Sequence, residues 1–118
     1  MNKLELTWIG KDNVQEPLEP RILIENPKYS YGTVEETTLP SGKPWHGNML
    51  IHGDNLLALK SLEQNYSNSI QCIFIDPPYN TGKAFEQYDD MQEHSIWLSL
   101  MRERILALYK LLAHTGTF

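Results

Sequence analysis

The sequence predicts an α/β fold, a parallel sheet assembled from βαβ units, carrying an extended N-terminal arm. Three observations lead to this reading. Two short apolar runs, Met49–His52 and Ile70–Ile75, are each followed within two residues by an aspartate. Each run is succeeded by a stretch with apolar residues at helical spacing, the alternation that marks parallel sheets. Five of the seven prolines (Pro17, Pro20, Pro27, Pro40 and Pro44) fall within residues 1–47, where fixed φ angles and missing donors leave little room for a helix.

Within the arm, Leu4–Ile9 and Ile22–Ile24 read as short strands or as extended chain, with Trp8 and Trp45 anchoring it on an apolar surface. Met49–His52 reads as a buried strand that ends at Gly53. Asp54 then caps a helix whose apolar positions are Leu56, Leu57, Leu59 and Leu62. Asn65–Ser69 is a polar turn. Ile70–Ile75 reads as a second buried strand with Ile73, Phe74 and Ile75 in the core and Asp76 at its C-terminal end. Residues 77–91 form a loop long enough to suggest function. Helix resumes near Ser95, where Ile96, Trp97, Leu100, Met101, Ile105, Leu108, Leu111 and Leu112 recur on one face. Arg102, Glu103, Arg104 and Lys110 fall to the solvated side. Gly116–Phe118 is expected to turn into a third strand. The chain divides into an arm, 1–47, and an organised part, 48–118.

Composition limits the function classes. The 118 residues are 41% hydrophobic and 21% charged, with a net charge of −5. That is a soluble globular composition, and its sign opposes a free-standing DNA-binding module, which presents a basic face. Met1–Leu6 is polar and mixed in charge, unlike a secretory leader, and no apolar run spans a bilayer. Cys72 is the one cysteine; in an apolar run it reads as a small buried hydrophobe, in keeping with a cytoplasmic protein. His46, His52, His94 and His114 lack metal-ligand spacing and read as structural or surface residues.

The chemistry concentrates in Asp76-Pro77-Pro78-Tyr79, placed where parallel sheets bind ligands, beyond the carboxyl end of a strand. An exocyclic amine on a nucleobase is a poor nucleophile, because its lone pair is delocalised into the ring. Two acceptors that hold both N–H bonds turn that lone pair outward. The Asp76 carboxylate is one acceptor and the Pro77 carbonyl the other. The two prolines fix φ and remove competing donors. Tyr79 offers an aromatic face for a base, which must be flipped from the duplex to arrive there. The plain alternative is a turn after a strand; the preceding apolar run, the βαβ pattern and the continuation into Asn80-Thr81-Gly82 favour the catalytic reading.

Ile75–Gly82, Ile-Asp-Pro-Pro-Tyr-Asn-Thr-Gly, resembles the catalytic motif of S-adenosylmethionine-dependent DNA amino-methyltransferases. Leu6-Thr7-Trp8-Ile9-Gly10, His52-Gly53-Asp54-Asn55-Leu56 and His94-Ser95-Ile96-Trp97-Leu98 resemble segments of adenine-specific enzymes of restriction–modification systems, including the modification subunits of type III systems. The resemblance implies a partial Rossmann-like methyltransferase fold. It also implies methyl transfer to the N6 amine of adenine in double-stranded DNA, the adenine being flipped, and a restriction subunit as candidate partner. Asp76 and Pro77 would hold the amine and Tyr79 would stack on the base. Asn80, Thr81 and Gly82 would shape the loop over it. Asp54 would lie near the cofactor, its role as helix cap being compatible with that. Phe85 and Tyr88 remain open between loop packing and DNA contact.

The family resembled places its glycine-rich cofactor loop after the catalytic motif, and no two glycines here are separated by a single residue. A target-recognition segment is not found either. The expectation is a fragment or truncated product that binds the cofactor weakly or not at all by itself. The alternatives are an inactive remnant or half of a split enzyme. Less favoured are a cytosine-N4 enzyme, which more often carries Ser at the motif's first position, and an rRNA guanine-N2 enzyme, which places its cofactor loop before the motif.

Overall fold

A computed structural model describes residues 4–13, 18–19, 21–32, 42, 47–78 and 90–118. Among the described residues, a 3₁₀ turn at Pro27–Tyr29 precedes four regular elements: α1 (Asn55–Tyr66), β1 (Ile70–Cys72), α2 (Asp90–Leu111) and β2 (Leu112–Thr117). The strands pair in parallel, Ile70 opposite Leu112 and Cys72 opposite Thr117, with a slip in register between the two pairs. The α/β class expected from the sequence is therefore observed, and β1, α2 and β2 form a βαβ unit.

The helices pack on each other and share the core. Tyr66 from α1 is buried with Met101, Ala107 and Leu111 from α2, Leu111 being only 2% exposed. The α1–β1 turn uses Asn68 at φ 55°, a conformation asparagine tolerates better than most residues. That turn is fastened to the end of α2: Asn68 N–H donates to the Lys110 carbonyl at 3.0 Å and Ser69 N–H to the Leu111 carbonyl at 2.9 Å. Two carbonyls that a helix end leaves without intrahelical partners are thus satisfied by the neighbouring turn. Lys110 also reaches Glu63 of α1 at 3.1 Å.

Several elements differ from the sequence reading, each for a physical reason. Met49–His52 is not a strand; Leu50 is fully exposed, and the one ladder among the described residues joins β1 to β2. The strand expected over Ile70–Ile75 ends at Cys72. Beyond it Ile73 N–H still donates to the Thr117 carbonyl at 2.9 Å, and burial alternates, with Ile73 and Ile75 half-buried and Phe74 92% exposed. A run that looked buried on both sides is covered on one. Cys72 falls on the open side and is exposed, not buried. The third strand is longer than expected and begins at Leu112 directly from the helix. α2 itself begins at Asp90, ahead of Ser95. In the arm, Leu4–Ile9 and Ile22–Ile24 form no strand, and Ile9 lies in a turn closed by a 3.2 Å hydrogen bond from Lys11 N–H to the Trp8 carbonyl. Trp8 does anchor the arm, by a 2.8 Å hydrogen bond from its indole N–H to Ser99 Oγ of α2. Ser61 of α1 holds the Arg21 carbonyl at 3.0 Å. Trp45 lies outside the described residues.

The strand pair approaches closely at Gly116. A Cβ built there would stand 2.9 Å from the Ile70 carbonyl oxygen and 2.7 Å from Leu112 Cδ1. Gly116→Ala is therefore expected to destabilise the fold by roughly 1–3 kcal/mol. Urea unfolding of the two proteins checks it; equal midpoints would show that the ladder yields freely at this point.

Candidate functional site

The site begins with the cap of α1. Gly53 adopts φ 157° with open space around its α-carbon, so conformation rather than crowding calls for glycine there. Asp54 follows in extended geometry, and its Oδ1 accepts from Leu56 N–H at 3.0 Å and Leu57 N–H at 3.1 Å. The capping role expected of Asp54 is met. Its second oxygen, Oδ2, lies 3.6 Å from the Arg104 guanidinium.

Arg104 is not the solvated residue the sequence suggested. Its side chain is 18% exposed. Nε donates to Asn55 Oδ1 at 2.6 Å and Nη1 to the Leu100 carbonyl at 3.0 Å. One side chain of α2 thus grips both residues that open α1. The signal was present in the spacing: Arg104 stands seven residues after Trp97 and four after Leu100, on the apolar stripe of the helix. A cation on such a stripe needs a partner across the interface, which Asp54 and Asn55 provide.

The Asp76-Pro77-Pro78 turn faces this clamp. Asp76, Pro77 and Pro78 line a cleft of about 590 Å³ together with Asp54, Asn55 and Arg104. Its apolar wall is drawn from all sides, including Leu59 and Leu62 of α1, Ile75, and Leu100 and Leu108 of α2. Two carboxylates and one guanidinium therefore border a largely apolar hollow, in the size range of small-molecule sites. The two aspartates singled out in the sequence are brought together here. Tyr79, Asn80, Thr81 and Gly82, and with them Phe85 and Tyr88, lie outside the described residues.

Trp97 is the second residue whose role the sequence concealed. Read as part of an apolar face, it instead donates its indole N–H to the Pro78 carbonyl at 2.7 Å. A separate hollow of about 600 Å³ lies between the arm and α2, bordered by Ile9, Gly10, Ser95 and Ser99; none of the motif residues lines it.

Comparison with known proteins bears on what such a cleft does. Residues 70–118 match a family model described as DNA methylase. The chain is 44% identical to the probable type III restriction-modification enzyme HindVI Mod subunit of Haemophilus influenzae, over 58% of this chain and 9% of that protein. It is 32% identical to the type III restriction-modification enzyme StyLTI Mod subunit of Salmonella typhimurium, over 95% of this chain and 21% of the relative. It is also 32% identical to the DNA adenine methyltransferase YhdJ of Escherichia coli, over 58% of this chain and 22% of the relative. The chain spans at most 22% of the length of these three relatives. No solved structure matches it.

The two oxygens of Asp54 can be tested separately. Asp54→Ala removes the cap and is expected to cost about 1 kcal/mol of stability, whereas Asp54→Asn keeps an acceptor and should stay within a few tenths. Denaturant midpoints followed by circular dichroism separate the two. Equal losses in both variants would show that the ion pair with Arg104, not the cap, is what holds the start of α1.

Proposed function

We propose that this chain, whose residues 70–118 match a family model described as DNA methylase, carries the catalytic-motif part of a site-specific adenine-N6 DNA methyltransferase of restriction–modification type. Residues 48–118 belong to the methyltransferase domain and 1–47 form its arm. The observation that carries the reading is the cleft that gathers Asp54, Asp76, Pro77 and Pro78 around an apolar wall. The similarity to two Mod subunits and to a DNA adenine methyltransferase supports the substrate.

The chemistry follows from the acceptors. The Asp76 carboxylate and the Pro77 carbonyl each accept a hydrogen bond from one N–H of the adenine amine, and the nitrogen lone pair is left pointing away from both. Asp76 acts as an acceptor that orients the amine; the proton need leave only during or after attack. Tyr79 stacks on the base after it is flipped from double-stranded DNA, which offsets part of the few kcal/mol that flipping costs. Asn80, Thr81 and Gly82 form the loop over it.

The cleft suits S-adenosylmethionine in its charges and walls. Two carboxylates against one guanidinium leave an anionic balance for a cationic donor, and Leu59, Ile75 and Leu100 offer apolar surface to a purine. Asp54 and these residues would hold the cofactor. When bound, S-adenosylmethionine supplies the methyl group as an electrophile. The proposal extends to a restriction subunit as partner and to the cytoplasm as location. Among the described residues no helix is long and apolar enough to cross a membrane.

The test is methyl transfer from labelled S-adenosylmethionine to unmethylated DNA, with the product nucleoside identified by mass spectrometry. The expected product is N6-methyladenine. Asp76→Ala should lower transfer by roughly 10²- to 10³-fold, the scale for losing one preorganised hydrogen-bonding group in an active site. N4-methylcytosine would move the reading to the sibling chemistry. Undiminished transfer by Asp76→Ala would remove Asp76 from the mechanism.

A further inference from the structure

Proline φ is fixed by its ring, and a residue preceding proline is held to extended ψ values. Across Pro77 and Pro78 the backbone therefore keeps one soft angle, ψ of Pro78. That angle decides where the chain goes after the turn. It also decides where the Pro78 carbonyl points. In the structure this carbonyl accepts the Trp97 indole N–H at 2.7 Å, so the last soft angle is tied to a helix.

The segment is held at its other end as well. Ile73 N–H donates to the Thr117 carbonyl at 2.9 Å, which fixes the start of the segment to β2. Between these two bonds lie Ile75, Asp76 and Pro77, which border the cleft. Trp97 is half-buried on α2, one turn before Leu100 and Met101, which border the same cleft. Its position on a packed helix gives the donor a fixed origin.

We propose that Trp97 is a positioning residue for methyl transfer: its indole N–H, by holding the Pro78 carbonyl, sets the orientation of the Asp76–Pro78 turn and so aligns the two acceptors for the target amine. This rests on the function proposed above. Trp97 touches neither the amine nor the cofactor in this scheme. It acts through the backbone of the turn.

The indole nitrogen of tryptophan and Nε2 of histidine occupy the same place in their five-membered rings relative to Cγ. Trp97→His therefore keeps a donor at that place, while Trp97→Phe keeps an aromatic ring without one. In the full-length protein, Trp97→Phe is expected to lower the single-turnover rate of methyl transfer about tenfold, the effect of one misaligned hydrogen bond in a positioned site. KM for DNA and for S-adenosylmethionine should stay within about twofold. Trp97→His should recover most of the rate. A normal rate in Trp97→Phe would overturn the proposal, and so would equal impairment of both variants.

A second measurement does not depend on activity. Solvent exchange of the Trp97 indole N–H, followed by NMR on indole-¹⁵N-labelled protein and assigned with Trp97→Phe, should be at least about tenfold slower than for free indole. Exchange at the free rate would overturn the proposal whether or not methyl transfer is seen. Slow exchange in a protein that transfers no methyl group would keep the hydrogen bond and sink the functional reading instead.

Discussion

The arrangement depends on the end of α2, where two carbonyls of the helix are taken by the turn that enters β1. Ser69 N–H meets the Leu111 carbonyl and Asn68 N–H the Lys110 carbonyl, one residue before Ile70 pairs with Leu112. The same contact therefore closes a helix, opens a parallel ladder and brings α1 against α2. Unmet backbone carbonyls at a covered helix end are costly, so this juncture is chosen over looser ones. Everything nearer the cleft is referred to it: β1 leads to the motif, and α2 presents Trp97 and Arg104 from a fixed origin.

Much of the architecture was legible because its signals are local. The cap at Asp54 was readable from an acidic residue placed before an apolar helical pattern, and its two hydrogen bonds are there. The long amphipathic helix was readable from its period. Strand limits were less so. A continuous apolar run such as Ile70–Ile75 does not reveal whether one side or both are covered, and Phe74 and Cys72 lie on the open side. Met49–His52 has strand-like composition, but pairing depends on a neighbour, and sequence carries no local record of neighbours.

The site was legible in its chemistry and not in its support. Asp76 and Pro77 could be singled out because an amine-activating motif needs particular atoms in a particular order. Asp54 was placed near the cofactor by the resemblance, and it lines the cleft with Asp76 although the run before it forms no strand. Arg104 and Trp97 could not be read the same way, since each appeared to have an ordinary explanation, a charge in solvent and an aromatic in a core. Their roles are long-range, 49 residues from Arg104 to Asn55 and 19 from Trp97 to Pro78.

The passage from α2 into β2 has no connecting residues, Leu111 closing the helix and Leu112 opening the strand. The stretch thus behaves as a single ruler graduated in two scales. Adding or removing one residue within the helix would turn its upstream face by about 100° relative to the strand, swinging Trp97 off the Pro78 carbonyl and Arg104 off the cleft. Adding or removing one in the strand would exchange its two faces. Between Trp97 and Thr117 a change of length would therefore be felt at the helix face and at the strand together, whatever residue is added or removed.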